Sequence, residues 1–361
     1  MRILLTGHKG FIGSVMLPML LADGHTVVGL DSDLFAGCSW AEPAVQIPEI
    51  NKDLRDVDLA DLDGLDAVIH LAAISNDPIG NLDPELTYAI NHLGTLRLAA
   101  LAKAAGCPRF LFSSSCSTYG AGGEDFLNEA ATFNPVTPYG NSKVLAERDL
   151  AKLADDDFSP VYLRNATAYG VSPKPRFDLV INNLVAYAYS TGRIYIMSDG
   201  TPWRPLVHIE DIARAFMAML HAPRDVIHNQ AFNVGRNEEN YRVRELAEIV
   251  HELVPGSRIE YAPDAGPDKR SYRADFSKIA RLVPEFQPTW NARRGVIELY
   301  AVYQQVNLQL ADFDGPRFKR IDHIKQLLAS GRLGPDLRWR AVTPHGSADA
   351  RAQQPAALNT H

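Results

Sequence analysis

Short apolar runs and longer helical repeats alternate through the first half of the chain. The runs Ile3–Thr6, Thr26–Leu30, Ala67–Leu71, Arg109–Ser113 and Val161–Arg164 predict strands. Between them, Phe11–Leu21, Leu93–Ala104 and Ser142–Leu153 carry apolar residues at helical spacing. Strand–helix–strand repetition implies right-handed crossovers and a parallel sheet. Its strands are apolar throughout, so helices should cover both faces. The expected fold class is α/β, a doubly wound parallel sheet followed by a smaller mixed α/β region.

The second half has a different rhythm. Ser172-Pro173-Lys174-Pro175-Arg176 interrupts the pattern. A helix follows over Leu179–Tyr189, then a strand over Ile194–Met197 and a turn at Asp199-Gly200. Further helices are expected over Arg242–Leu253 and Val296–Leu308. This divides the chain into residues 1–171, to which 205–235 return, and a second unit made of 172–204 and 236–340. The segment 345–361 is rich in Ala and Gln without period, and Ala348–His361 reads as a disordered tail.

Composition narrows the class. With 361 residues, 46% of them hydrophobic, the chain can bury a large core. A formal net charge of −7 gives no whole-protein footprint for nucleic acid or an anionic membrane. The three cysteines, Cys38, Cys107 and Cys116, are too few and scattered for a disulfide framework or a zinc site, so no metal is expected. There is no signal-peptide anatomy and no apolar run of membrane-spanning length. A reducing cytoplasm is the expected location.

Two motifs carry chemistry. Thr6-Gly7-His8-Lys9-Gly10-Phe11-Ile12-Gly13 lies between the first strand and the first helix. Its glycines let the backbone turn sharply and let a pyrophosphate approach the helix N-terminus. The second strand ends at Asp31, whose carboxylate can accept from both ribose hydroxyls and would repel a 2′-phosphate. This is a dinucleotide site of Rossmann type with NAD favoured over NADP. Downstream, Tyr139-Gly140-Asn141-Ser142-Lys143 puts a phenol and an ammonium on one helix face. The ammonium is expected to lower the phenol pKa, so that Tyr139 exchanges a proton with a substrate hydroxyl. A serine of Ser113-Ser114-Ser115, at the end of an apolar strand, can hold the same oxygen.

These motifs occur in order with Asp53-Leu54-Arg55-Asp56, His70-Leu71-Ala72-Ala73, Ser113–Gly120 and Arg204-Pro205-Leu206-Val207-His208-Ile209-Glu210-Asp211. As an ensemble, spread over roughly residues 1–300, they resemble the extended short-chain dehydrogenase/reductase superfamily and its NAD-dependent sugar-nucleotide epimerases and dehydratases. The resemblance implies that Gly7, Gly10, Phe11, Ile12 and Gly13 hold the pyrophosphate of NAD. It assigns the adenosine ribose to Asp31, adenine to Asp53 and Leu54, and the nicotinamide-side ribose to Leu71, Ala72 and Ala73. Ser115, Tyr139 and Lys143 become the catalytic set, with Lys143 also on the ribose. Arg204 and Arg270 are implied as clamps on a substrate diphosphate, for which guanidinium has the right paired donors. The resemblance also implies a homodimer built on the helices around Leu93–Ala105 and the Tyr–Lys segment.

The chain departs from the family in three places. Dehydratases carry an Asp-Glu pair where this chain has Cys116 and Ser117, which speaks against water elimination and favours epimerisation. Thr167 stands where relatives have an Asn that meets the substrate. Ser75-Asn76-Asp77-Pro78 replaces a loop over the sugar, where Asn76 and Asp77 can either bind sugar hydroxyls or cap a turn. His208 and Cys116 read as packing residues. The expected activity is epimerisation of a nucleotide-diphosphate sugar, at C4, through a keto sugar. A 4-ketoreductase and a dehydratase with its base elsewhere stay open, as does a non-catalytic dinucleotide sensor.

Overall fold

A computed structural model describes residues 1–40, 45–266 and 270–340. The expected tail at 345–361 lies outside the described residues.

The apolar runs pair into one seven-stranded sheet. Its order is Gln230–Val234, Ser159–Asn165, Arg109–Ser115, Ala67–His70, Arg2–Thr6, Thr26–Asp31, Glu49–Asn51. Every neighbouring pair is parallel. The strand order reverses beside Arg2–Thr6, and in such sheets ligands bind at the carboxyl ends next to that reversal. One apolar cluster, which includes Leu5, Met16, Leu111 and Phe216, covers one face of the sheet. A second, which includes Leu4, Leu98, Phe110 and Leu150, covers the other. This two-sided burial is why the strands read as unbroken apolar runs.

Several boundaries differ from the sequence reading. The first helix is Gly13–Ala22, so Phe11 and Ile12 belong to the glycine turn. The regular helix Thr95–Ala104 is preceded by a widened π-helical turn, Ala89–Gly94. The Tyr–Lys helix begins earlier than apolar spacing suggested and spans Pro138–Leu150. Thr137 accepts from the Gly140 N–H at 3.1 Å, and Pro138 sits in the first turn, where its missing N–H costs nothing.

The second half packs a core of its own around Tyr169, Phe177, Leu184, Leu246 and Leu299. Its helices are Val180–Thr191, Val243–Leu253 and Ala292–Gln305, and its strand Arg193–Ser198 runs parallel to Arg258–Gly266. Trp203–His208 is a strand, and Ile209–His221 is an unforeseen amphipathic helix that packs under the central sheet. Another unforeseen helix, Arg320–Ala329, packs through Ile324 and Leu327 on Ile74 and Ile79.

Candidate active site

The glycine turn follows from close backbone contacts. Gly7 has φ +72°, and a Cβ there would stand 2.8 Å from Ala72 N. A Cβ on Gly13 would stand 2.2 Å from Gly7 O. Only glycine lets these segments meet, and the helix Gly13–Ala22 starts directly above the turn. Beside it lies a pocket lined by Gly7, Gly10, Phe11, Ile12, Gly13, Asp31, Asp53, Leu54, Leu71, Ala72 and Ala73. The cradle fits a dinucleotide pyrophosphate against the helix start. Asp31 accepts from the N–H groups of Lys9 at 3.0 Å and Asp33 at 2.8 Å, while burial pushes its carboxyl above the usual range. Asp53 caps the turn after it, accepting from Arg55 N at 2.8 Å.

The adjoining cleft, about 780 Å³, contains Ser115, Tyr139, Lys143, Thr167, Arg204 and Arg270. It shares Ile12, Leu71, Ala73, Ser75, Ala168 and Arg176 with the dinucleotide pocket, so the two are continuous. Ser115 lies at the carboxyl end of Arg109–Ser115 and lines the cleft beside Tyr139. Ser117 donates to the Ser115 hydroxyl from its N–H at 3.1 Å and its own hydroxyl at 2.8 Å. Lys143 is buried and donates to Ser113 O at 2.7 Å. Asn91, in the widened turn, holds the Ile74 N–H and C=O at 2.8 and 2.9 Å and donates to Ser142 at 3.2 Å. It thereby ties the loop after Ala67–His70 to the Tyr–Lys helix.

The electrostatics depart from the expectation for Tyr139. Burial raises its pKa, and the Ser115 hydrogen bond only partly opposes the rise. The ammonium expected to lower it is itself strongly desolvated: burial brings Lys143 from 10.5 to about 7. Its Nζ stands 5.7 Å from the Tyr139 ring centroid and is turned to Ser113 O.

Of the two roles open to Asn76, the turn cap is the one present here. Its carbonyl caps the turn Asp77–Gly80, accepting from Ile79 N at 3.2 Å, and its amide donates to Asp178 at 2.5 Å. Asp77, next along, lines the cleft and pairs with Arg270 at 2.8 Å. Arg204 donates to Trp203 O at 2.8 Å and to the carbonyl of Arg270, which joins the two arginines on one wall. Cys116 is buried with its thiol on Arg164 O at 3.1 Å, and desolvation pushes its pKa up, so it is no nucleophile. His208 stacks on Trp290 with ring centroids 3.8 Å apart and meets Glu298 at 2.9 Å, a packing role. The sequence reading missed the ion pair Arg176–Asp178, 2.6 Å apart in the cleft wall, which the Arg-x-Asp spacing after the proline-rich break could have signalled.

The family model described as "NAD dependent epimerase/dehydratase family" matches residues 3–235. The chain belongs to that family and is an NAD-dependent enzyme. It is 33% identical to UDP-glucose 4-epimerase of Mycolicibacterium smegmatis, an alignment covering 82% of this chain and 96% of that one. It is 30% identical to UDP-glucose 4-epimerase of Bacillus subtilis, over 83% and 95% of the two chains. Among solved structures it resembles UDP-glucuronic acid 4-epimerase of Bacillus cereus in complex with UDP-glucuronic acid and NAD. That likeness has a TM-score of 0.71 at 25% identity, over 85% of this chain and 100% of the other.

Proposed function

We propose that the chain is a nucleotide-sugar 4-epimerase taking a UDP-hexose or UDP-hexuronate. The observation that carries this is the acid/base Tyr139 with no carboxylate on the loop beside it, the lining acids Asp77 and Asp178 being paired with Arg270 and Arg176. The cleft opens onto Ser115 and Tyr139, while Cys116 and Ser117 leave that loop without a carboxylate to expel water.

The pocket lined by Gly7, Gly10, Gly13 and Asp31 would hold NAD, which would supply the redox chemistry and a positive charge favouring the Tyr139 phenolate. Tyr139 takes the proton of the sugar hydroxyl and later returns it, with Ser115 holding the same oxygen. Lys143 holds the ribose of the cofactor and fixes the Tyr139 helix to the strand Arg109–Ser115. Arg204 and Arg270 bind the diphosphate, so the keto sugar can turn about its tether and present its other face. Thr167 contacts the sugar in place of an amide. In this proposal the assembly is a homodimer through the helices Thr95–Ala104 and Pro138–Leu150, next to which Leu93 stays 57% exposed. Among the described residues no helix is long and apolar enough to cross a membrane.

The test is incubation with UDP-glucose, UDP-galactose and UDP-glucuronate plus NAD, read by proton NMR and mass spectrometry. The expected product is the C4 epimer at unchanged mass. A product lighter by one water would replace this reading with a dehydratase.

A further inference from the structure

The helix Arg320–Ala329 lies outside the family-matched residues 3–235, yet it closes one side of the dinucleotide pocket. Its position is held from several sides. His323 Nε2 meets Leu34 O at 3.2 Å, Arg338 pairs with Asp56 at 2.8 Å, and Trp339 Nε1 donates to Ser32 O at 2.6 Å. These contacts lay residues 320–339 across the loops after Thr26–Asp31 and Glu49–Asn51.

Arg320 is 8% exposed and lines the pocket with the glycine turn and Asp31. Its guanidinium stands 4.5 Å from the Phe35 ring centroid. Among the described residues, neither its Nε nor its Nη2 finds a hydrogen-bond partner. The neighbouring carboxylates are engaged elsewhere. Asp178 takes Arg176 at 2.6 Å and Asn76 at 2.5 Å, and Asp31 takes two backbone N–H groups. The other cations of the pocket are also committed, Lys52 to Asp58 and Asp61 and Arg176 to Asp178. A buried guanidinium with unspent donors is costly unless an anion completes it.

We infer that Arg320 holds the pyrophosphate of bound NAD, so that a C-terminal helix beyond the dinucleotide fold completes the cofactor site. The guanidinium fork matches phosphate oxygens, and Arg320 lines the dinucleotide pocket rather than the sugar cleft. Burial and the nearby Arg176 bring its pKa down to about 10, the condition of a cation waiting for a counter-ion. The inference rests on NAD as cofactor, which the proposed epimerase also requires, but not on the identity of the sugar.

The experiment strips the full-length protein of nucleotide and titrates it with NAD and, separately, with adenosine, which has no phosphate. Arg320→Gln should weaken NAD binding about 10- to 100-fold and leave adenosine binding unchanged. Arg320→Lys should recover part of the loss. The melting temperature of nucleotide-free Arg320→Gln should be no lower than that of the wild type, because relief of a buried cation whose Nε and Nη2 lack hydrogen-bond partners offsets the lost contact with Phe35. Equal NAD affinity in wild type and Arg320→Gln overturns the inference. Parallel losses for NAD and adenosine, with a lower melting temperature, also overturn it by assigning Arg320 to packing on Phe35. If NAD binding falls as expected but no UDP-sugar is epimerised, the Arg320 assignment stands and the proposed reaction fails.

Discussion

Tyr139 and Lys143 share a helix face, and burial destabilises the charged form of each. The phenol resists ionisation and the amine resists protonation, so the pair is poised for a bound cofactor rather than self-sufficient. Tyr139→Phe should therefore abolish turnover, by 100-fold or more for a lost acid/base at order of magnitude. NAD binding should persist in the same preparation, because Lys143 and the glycine turn are untouched. Near-normal turnover in the Phe variant would remove Tyr139 from the mechanism. Lys143 gives a second prediction, on stability. Its folded pKa of about 7 lies below its ordinary 10.5, so between these values the unfolded chain binds more protons. The cost of burying it is full below pH 7 and fades as pH rises toward 10.5. Nucleotide-free protein should gain stability over that window by at most about 1.4 kcal/mol per pH unit from this group. Lys143→Met should lack that gain. Urea unfolding of both proteins at pH 7, 8 and 9 reads it, and equal slopes would show that Lys143 is not desolvated as the geometry implies.

The strand–turn–helix at the N-terminus depends on the absence of one carbon. A Cβ at position 13 meets Gly7 O at 2.2 Å, so Gly13→Ala must push the turn away from the helix. The expected cost is about 1–3 kcal/mol of stability, together with loss of co-purifying NAD. A thermal melt and analysis of released nucleotide check both, and an Ala variant that retains NAD would contradict the close contact. This element was legible because period, glycine spacing and a terminal acid agree over one continuous stretch. The five strands read from apolar runs lie within or one residue beyond strands of the sheet, since burial on both faces leaves a plain signal. Glu49–Asn51 was missed because it is short and half-polar at the sheet edge. Ala121–Leu127 was missed because its Gly- and acid-rich sequence is stabilised by pairing with the distant Ser271–Ala274. Ile209–His221 was legible in principle, with Glu210 and Asp211 opening an apolar stripe, but the sequence reading assigned it no element. Asn76 and Arg320 show the remaining limit. Each owes its place to contacts far along the chain, with Asp178 and with Phe35, and local spacing carries no trace of these.

At the scale of the molecule, one continuous cavity joins a redox cofactor site to a sugar cleft whose Ser115–Ser117 loop carries no carboxylate and whose lining acids, Asp77 and Asp178, are paired with Arg270 and Arg176. This arrangement makes a claim about the hydrogen on C4. If Tyr139 moves only the hydroxyl proton, the carbon-bound hydrogen must leave and return with its electron pair, shielded from solvent inside the cavity. Any route that removes it as a proton needs a base facing the carbon. Cys116 cannot serve, because it is buried, its thiol is bound to Arg164 O, and its pKa is pushed up. Ser117 is engaged with Ser115, and the lining carboxylates Asp77 and Asp178 are held by Arg270 at 2.8 Å and Arg176 at 2.6 Å. A UDP-hexose carrying deuterium at C4 should therefore be interconverted with its epimer while keeping the label through many turnovers, and in heavy water the unlabelled sugar should gain none. The measurement is proton NMR of both epimers at equilibrium together with their masses. Wash-out of the label would require a carbon base that these residues do not provide, and would overturn the single acid/base reading even if the product were the expected epimer.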